Sequence, residues 1–300
     1  MQVIPNSAQA WFLAARPKTL PAALVPVVTA TALAWSKGEV NPVPVVLCML
    51  FACLMQVAAN LINDLYDFLR GSDRADRLGP ERACQQGWIT PRAMRFGIAL
   101  TLLMACSCGL GLLPYGGVAL VALGVACVVF AFLYTTLLSY VGCGDVLVLV
   151  FFGLVPVLGT YYVLRGELCT EAWWLAAACG TVVDTLLVVN NYRDREQDLV
   201  SGKRTLIVLI GGKAGAWLYL LLGLAAYVML ALVALNGYLW TAILPLFYLL
   251  PHYLTWRKMV QIHQGRSLNR ILGFTSRNML TFALLTFAAL LAESIPAQTL

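Results

Sequence analysis

An acidic cluster stands at the end of a long apolar stretch. Asn63, Asp64 and Asp67 follow Gln56 and Asn60, and at about 100° per residue all five fall within roughly 100° of one helical face. An ionised carboxylate inside a hydrocarbon region costs at least ~2.5–3.5 kcal/mol, so acids placed there normally face a cavity and carry function. The alternative is a solvated helix end whose acids pair with neighbouring arginines.

A second stretch repeats this arrangement. Asp184, Asn191, Asp194 and Asp198 are spaced 7, 3 and 4 residues apart and share about 80° of a helix. Two such clusters that face each other must share cations, and all-oxygen ligand sets suit Mg²⁺, which prefers to bridge to phosphate. The residues therefore predict a phosphorylated or diphosphorylated ligand. Basic residues after the clusters could neutralise its oxygens, or could only orient the chain in a membrane: Arg70, Arg74, Arg77, Arg82, Lys203 and Arg204.

The composition identifies the environment of these acids. Of 300 residues, 61% are apolar and 11% are charged, whereas soluble domains have about 45–50% apolar and ~25% charged residues. We therefore predict an integral membrane protein, and its net charge of +6 indicates membrane loops and no nucleic-acid partner. The 9 cysteines are odd in number, and the 2 histidines lack ligand-like spacing. Neither a disulfide framework nor a zinc site is expected.

The hydropathy pattern predicts an all-α, polytopic membrane protein with a cytoplasmic N-terminus. On that topology, eighteen of the 20 Lys and Arg residues lie on the inner side, and Lys37 and Arg165 lie on the outer side. Residues 1–300 are expected to form one domain around a central cavity, with inner loops at about 68–92, 192–213 and 257–273 over its mouth. Nine apolar stretches are long enough to be transmembrane helices, at about 19–36, 43–63, 93–113, 116–138, 145–164, 172–192, 214–235, 238–256 and 274–293.

The acidic motifs and four local segments resemble the UbiA-type intramembrane prenyltransferases. The motifs of that family read NDxxDxxxD and DxxxD, and here they appear as Asn63-Asp64-Leu-Tyr-Asp67 and Asp194-x-x-x-Asp198. One branch of the family, which prenylates 1,4-dihydroxy-2-naphthoate, is the most similar. The segments that carry this resemblance are ARPKTLPA at 15–22, NDLYDFLRGSD at 63–73, GPER at 79–82 and NYRDREQDLVSGKRTL at 191–206.

The resemblance implies Mg²⁺ as the cofactor and assigns its ligands. Asp64, Asp67 and Asp73 would hold one ion, with Asp76 as the alternative to Asp73, and Asn63 would complete this shell or bond at the helix end. The second ion would be held by Asp194 and Asp198. The implied catalytic residues are Asp64, Asp67, Asp194 and Asp198, and the implied diphosphate contacts are Arg16, Arg70, Tyr134, Asn191, Lys203 and Arg204.

The implied reaction transfers a polyprenyl group from a polyprenyl diphosphate to 1,4-dihydroxy-2-naphthoate. The carboxylate of the acceptor is lost, which gives demethylmenaquinol for menaquinone biosynthesis in the cytoplasmic membrane of a bacterium, with the active site facing the cytoplasm. Another aromatic acceptor, such as 4-hydroxybenzoate or homogentisate, is the alternative. A lipid-phosphate transporter is less favoured, because transporters usually show internal repeats with matching broken helices and here both clusters lie on one face of the membrane.

Two further acids and one loop receive other interpretations. Asp184 lies about 15 Å from Asp194 by helical rise, too far for the same metal, and is assigned no catalytic role. Asp145 is interpreted as an N-terminal helix acid, with an acceptor-side general base as the alternative. The loop 71–90 is expected to close over the diphosphate.

Overall fold

The computed structural model describes residues 3–71 and 77–293, and all regular secondary structure within these ranges is helical. Short helical turns link the longer helices at Pro17–Thr19, Leu113–Gly116, Leu138–Tyr140, Ala234–Asn236, Trp240–Ile243, Leu244–Tyr248 and Arg266–Leu268. The longer helices are α1 (Ala8–Ala15), α2 (Leu20–Ser36), α3 (Pro42–Leu69), α4 (Pro91–Gly111), α5 (Ala119–Thr136), α6 (Gly144–Arg165), α7 (Thr170–Val200), α8 (Leu206–Val233), α9 (Leu249–Ile262) and α10 (Asn269–Glu293).

Within the described ranges, eight helical segments are long and apolar enough to cross a membrane. The prediction of an all-helical, multi-pass membrane protein is confirmed. The stretch predicted at 238–256 is helical but changes to a 3₁₀ turn at Leu244–Tyr248, which begins beside Pro245, and it is not among these eight. The count of nine spans and the cytoplasmic N-terminus stay predictions. The eight segments are Ala8–Ser36, Pro42–Leu69, Pro91–Gly111, Ala119–Thr136, Gly144–Arg165, Thr170–Val200, Leu206–Asn236 and Arg266–Glu293.

The starts of α3 and α4 share one local pattern. Each helix has a proline in its first turn, where the missing N–H would have no helical partner anyway. The side chains of Asn41 and Thr90 accept hydrogen bonds from the backbone N–H groups of Val43 and Ala93, at 2.9 and 3.3 Å. These N-caps define where both helices begin.

A sharp break at Arg16 separates α1 from α2. Arg16 adopts the left-handed conformation, with φ of 51°, and Pro17 follows it. Asn60 of α3 donates hydrogen bonds of 2.9 Å to the carbonyl of Ala15 and to the hydroxyl of Thr19, on either side of the break. The polar face of α3 therefore holds Arg16 close to the acidic end of that helix.

α7 is the most enclosed of the membrane-spanning helices and packs against α6 through glycines. A Cβ added at Gly153 would lie 2.6 Å from the carbonyl oxygen of Ala176 and 2.7 Å from the Cα of Gly180. A π-helical turn at Val150–Leu154 accompanies this contact. Small residues allow such close backbone approach between membrane helices. Because α7 carries the second acidic group, this contact positions that group.

The two basic residues predicted for the outer side meet at one end of the bundle. Arg165 donates a hydrogen bond of 2.6 Å to the backbone carbonyl of Lys37, and Lys37 forms an ion pair of 3.2 Å with Glu171. Glu171 lies in the first turn of α7, whereas Asp194 lies near the other end of that helix, about 35 Å away by helical rise. This separation agrees with the predicted division of charge between the two faces.

Candidate active site

A cavity of about 250 Å³, here called the polar cavity, lies between the ends of α3 and α7. α3 contributes Asn63 and Asp67 to its lining, and α7 contributes Asn191, Asp194 and Asp198. The two acidic groups therefore meet at one end of the fold. The remaining lining residues are Arg16, Thr19, Ala59, Asn60, Arg77, Arg82, Tyr134, Tyr140, Leu187, Asn190, Arg193, Gln197, Ser201 and Lys203.

Arginines orient two of these acids. Arg193 binds Asp194 through both ends of its guanidinium, with contacts of 2.7 Å from Nε to Oδ1 and 2.5 Å from Nη2 to Oδ2. On the opposite side of the cavity, Nη2 of Arg82, in the loop before α4, donates a hydrogen bond of 2.8 Å to Oδ2 of Asp67 of α3. Charge-assisted bonds of this kind are stronger and more directional than neutral ones. Each acid is thereby held in one orientation at the wall of the polar cavity.

Other polar atoms of the same wall have no hydrogen-bond partner among the described residues. They are Oδ1 of Asn63, Oδ2 of Asp198 and Nη2 of Arg16, and all three are buried. A buried polar group without a hydrogen-bond partner costs roughly 1–3 kcal/mol of folding free energy, so such groups commonly mark a place where a ligand binds. The two oxygens are suited to a hard cation, and the guanidinium nitrogen is suited to an anion.

Within the described part of the chain, no three acidic, histidine or cysteine side chains converge into a metal site of their own. The oxygen donors stand instead on facing helices, with Asn63 and Asp67 on one side and Asp194 and Asp198 on the other. This arrangement fits a Mg²⁺ ion that keeps few protein ligands and takes its other oxygens from a bound phosphate. The donor set is therefore compatible with magnesium held jointly by protein and ligand.

A second cavity of about 310 Å³, the apolar cavity, adjoins the polar one. Its walls come from α2 to α7 and are mostly apolar, with aromatic side chains that include Phe51, Phe130, Phe151 and Phe152. The two cavities share four lining residues, Ala59, Tyr134, Leu187 and Asn190. A molecule with a charged head and a long hydrocarbon tail would match this junction.

Comparison with protein families matches residues 23–276 to the UbiA prenyltransferase family. The chain belongs to this family. A relative from Escherichia coli K12, named 1,4-dihydroxy-2-naphthoate octaprenyltransferase, is 38% identical over 212 residues, which cover 68% of this chain and 69% of the relative. A relative of the same name from Mycobacterium leprae is 33% identical over 293 residues, which cover 95% and 97% of the two chains.

Solved structures share the UbiA fold with this protein. The apo structure of a UbiA homolog from Aeropyrum pernix K1 superposes with a TM-score of 0.70 at 17% identity, covering 93% of this chain and 99% of that one. A UbiA homolog from Archaeoglobus fulgidus, bound to GPP and Mg²⁺, gives a TM-score of 0.66 at 14% identity, covering 94% and 99%. These neighbours establish the common fold.

Most of the site residues predicted from the sequence of this UbiA-family chain line the polar cavity. Asp73 lies outside the described residues, as does its alternative Asp76. Asp64, Arg70 and Arg204 are described but lie outside the cavity lining. The residues that the fold brings together are Arg16, Asn63, Asp67, Tyr134, Asn191, Asp194, Asp198 and Lys203.

The residues outside the lining make other contacts. Both carboxylate oxygens of Asp64 accept hydrogen bonds from backbone N–H groups of the loop before α4. Arg70 donates to the carbonyls of Thr135 and Thr136 at the end of α5, and its guanidinium lies 4.7 Å from the ring centroid of Tyr140. Arg70 therefore joins α3 to α5, and its role as a diphosphate contact stays a prediction, like that of Arg204.

Several lining residues were not predicted from the sequence. Asn190, Gln197 and Ser201 lie on the same face of α7 as Asp194, at spacings of 4, 3 and 4 residues along the chain. Extending the helical pattern beyond the acids would therefore have identified them. Thr19 and Tyr140 lie in short turns between helices, where no periodic pattern marks them. Asp145 and Asp184 are buried and line neither cavity.

Proposed function

We propose that this protein transfers a polyprenyl group from a polyprenyl diphosphate to 1,4-dihydroxy-2-naphthoate, with loss of the carboxylate, to give demethylmenaquinol. The observation that carries this proposal is the junction of a charged cavity with an apolar one at Ala59, Tyr134, Leu187 and Asn190. A polyprenyl diphosphate has a charged head and a hydrocarbon tail in the same order. The names of the bacterial relatives support the choice of acceptor.

Magnesium is the cofactor that the site residues fit. We assign Asn63, Asp67, Asp194 and Asp198 as the residues that would hold it, because their oxygens line the polar cavity from two sides. Asp73 stays a predicted ligand from the sequence alone. When bound, Mg²⁺ would neutralise the charge that develops on the diphosphate as its bond to carbon breaks. A neighbouring structure, that of the Archaeoglobus fulgidus homolog, contains Mg²⁺ and GPP.

Basic side chains would share the charge of the diphosphate. Arg16, Arg77, Arg82 and Lys203 line the polar cavity and come from three separate segments of the chain. Guanidinium and ammonium donors placed in advance around a leaving group lower its energy in the transition state without reorganising during the reaction. We propose that these four residues and Tyr134 bind the diphosphate, with Asn191 supporting them.

The apolar cavity would hold the prenyl tail and exclude water. The C1–O bond of the donor breaks, and the diphosphate leaves with the electron pair, so the allylic carbon becomes electrophilic. Walls of Phe, Leu and Val keep water from capturing this carbon. The electron-rich ring carbon that bears the carboxylate forms the new C–C bond. Loss of carbon dioxide then returns the electron pair of the ring–carboxylate bond to the ring, which balances the reaction.

We further propose that residues 1–300 form one prenyltransferase domain in the cytoplasmic membrane of a bacterium, with the polar cavity facing the cytoplasm. All three predicted inner loops contribute to the cavity region. Arg82 and Lys203 line the cavity, and Asn269 accepts a hydrogen bond of 2.8 Å from Arg193. The charge bias of the sequence supports the cytoplasmic orientation.

The test is an assay of the purified protein in detergent with Mg²⁺. Prenyl diphosphates of several lengths are combined with 1,4-dihydroxy-2-naphthoate, 4-hydroxybenzoate or homogentisate, and the products are identified by mass spectrometry. We expect a prenylated naphthoquinol that lacks the carboxylate. A product only from 4-hydroxybenzoate or homogentisate would overturn the choice of acceptor. Absence of any prenylated product would overturn the proposed reaction.

A further inference from the structure

Asp64 binds the backbone of a loop although it belongs to the first acidic motif. Its Oδ2 accepts a hydrogen bond of 2.8 Å from the N–H of Ala83, and its Oδ1 accepts one of 2.9 Å from the N–H of Cys84. The side chain is buried, with 1% of the residue exposed, and lies outside the lining of both cavities. Both oxygens are thus engaged by protein donors.

Ala83 and Cys84, whose N–H groups bind Asp64, lie at the start of a compact turn. The carbonyls of Arg82, Ala83 and Cys84 accept hydrogen bonds from the N–H groups of Gln86, Trp88 and Gly87, at 2.9, 2.9 and 3.1 Å. The turn thereby satisfies its own carbonyls, whereas the first two N–H groups are satisfied by the Asp64 carboxylate. Buried backbone donors need such partners, so Asp64 determines where this turn docks on α3.

Arg82 immediately precedes the docked pair. Its side chain is 5% exposed, lines the polar cavity and donates to Asp67 at 2.8 Å. Asp64 and Asp67 thus hold neighbouring parts of one loop, the first through its backbone and the second through its arginine. Any loosening of the contact at Asp64 would release the backbone that places the Arg82 guanidinium.

We propose that Asp64 is a positioning residue that anchors the loop at Ala83 and Cys84 and so places Arg82 against the diphosphate. This assignment rests on the proposed function for the role of Arg82, and it differs from the expectation that Asp64 ligates Mg²⁺. A metal ligand would change the dependence of the rate on magnesium. A loop anchor changes the docking of the loop and the affinity for the prenyl diphosphate.

The docking is tested without any substrate through the buried Cys84 thiol, which the intact contact protects. Purified wild type and Asp64→Asn are treated with a maleimide, and labelling at each cysteine is followed by peptide mass spectrometry. We expect the rate of maleimide labelling at Cys84 to rise at least about tenfold in Asp64→Asn. The amide of Asn keeps one acceptor oxygen, but its NH₂ group would face the second backbone N–H, and two donors cannot form a hydrogen bond with each other. The exposed Cys143, which lies in the loop before α6, serves as the internal reference.

Glu81→Gln is the matched control, since it removes an exposed carboxylate beside Arg82 and should leave the Cys84 rate unchanged. An unchanged rate in Asp64→Asn would overturn the anchor. If that variant does not fold, hydrogen–deuterium exchange of the wild type is the second measurement. The N–H groups of Ala83 and Cys84 should then exchange at least about tenfold more slowly than that of Glu81, and unprotected exchange would overturn the proposal.

Kinetics separate the anchor from a metal ligand. Asp64→Asn should raise the KM for the prenyl diphosphate about tenfold, with the magnesium half-saturation at saturating donor unchanged within about twofold. In an Arg82→Gln background, the same change should add less than about twofold to KM, because both act through one contact. A raised magnesium half-saturation or fully additive effects would overturn the proposal. Loss of the proposed reaction in wild type would leave the labelling result valid, so the two failures are distinguishable.

Discussion

Arg193 and Asp194 form a doubly hydrogen-bonded ion pair between consecutive residues of α7, with distances of 2.7 and 2.5 Å. The Arg193 side chain is 2% exposed and also donates a hydrogen bond of 2.8 Å to Oδ1 of Asn269, at the start of α10. Asn269 in turn donates to the carbonyl of Leu78 at 2.8 Å. The orientation of Asp194 therefore depends on α10 and on the loop after α3.

Replacing Arg193 by Lys is expected to lower kcat/KM by about 10- to 100-fold. Lysine keeps the charge but lacks the planar fork that binds both oxygens of Asp194 and Asn269 together. Steady-state kinetics across magnesium concentrations provide the measurement, and the half-saturation for magnesium should rise. Arg270→Lys, at an exposed position on α10, is the control. Wild-type rates in Arg193→Lys would show that this network does not orient the site.

Replacing Asp67, Asp194 or Asp198 by Asn should lower turnover at least about 100-fold. Each change removes a negative charge placed in advance at the polar cavity, which is a loss of electrostatic stabilisation. Initial rates of prenylated product formation are the measurement. Glu196→Gln is the matched control, because Glu196 lies on the same helix with its side chain 70% exposed. Loss of activity in this control to the same degree would point to a general effect of charge.

Removal of divalent cations with EDTA should abolish product formation, and excess Mg²⁺ should restore it. The reason is that the diphosphate leaving group would otherwise face Asp67, Asp194 and Asp198 without a cation between the negative charges. Activity is measured in one preparation before chelation, after chelation and after Mg²⁺ is added back. Full activity in EDTA contradicts the magnesium assignment.

Gly124→Leu should shift the donor preference toward prenyl diphosphates with shorter chains. Gly124 lines the apolar cavity, and a Cβ added there would meet no atom within 4 Å, so a side chain at this position has open space in which to start. We expect kcat/KM to fall at least about tenfold for long polyprenyl diphosphates while geranyl diphosphate is little affected. The exposed Gly273→Leu is the control. Equal losses for short and long donors would argue against this cavity as the tail site.

Gly153→Ala should destabilise the protein. The new methyl group would lie 2.6 Å from the carbonyl oxygen of Ala176, and neither helix backbone can move without disturbing the α6–α7 contact. A loss of about 1–3 kcal/mol is expected, seen as a lower Tm in detergent. The control is Gly273→Ala, where no atom lies within 4 Å of the added Cβ. A Tm equal to wild type would show that the contact is looser than described.

The helical architecture and the two acidic faces could be predicted from the amino-acid order because they depend on local properties. Hydropathy over about 20 residues identifies a membrane-spanning helix, and the helical period places Asp67, Asp194 and Asp198 on polar faces. The 3₁₀ turn at Leu244–Tyr248 was not predicted, since hydropathy alone does not register the effect of Pro245 on the helix.

The division of roles within the first motif was decided only by the tertiary structure. Asp64 and Asp67 differ by about 60° around α3, so one broad polar face includes both. Packing of the loop before α4 turns Asp64 toward the backbone of Ala83 and leaves Asp67 in the cavity wall. Arg70 and Arg82 carry the same charge, yet Arg82 lines the polar cavity whereas Arg70 binds the end of α5. Contacts between residues distant in sequence distinguish them, and no local pattern encodes such contacts.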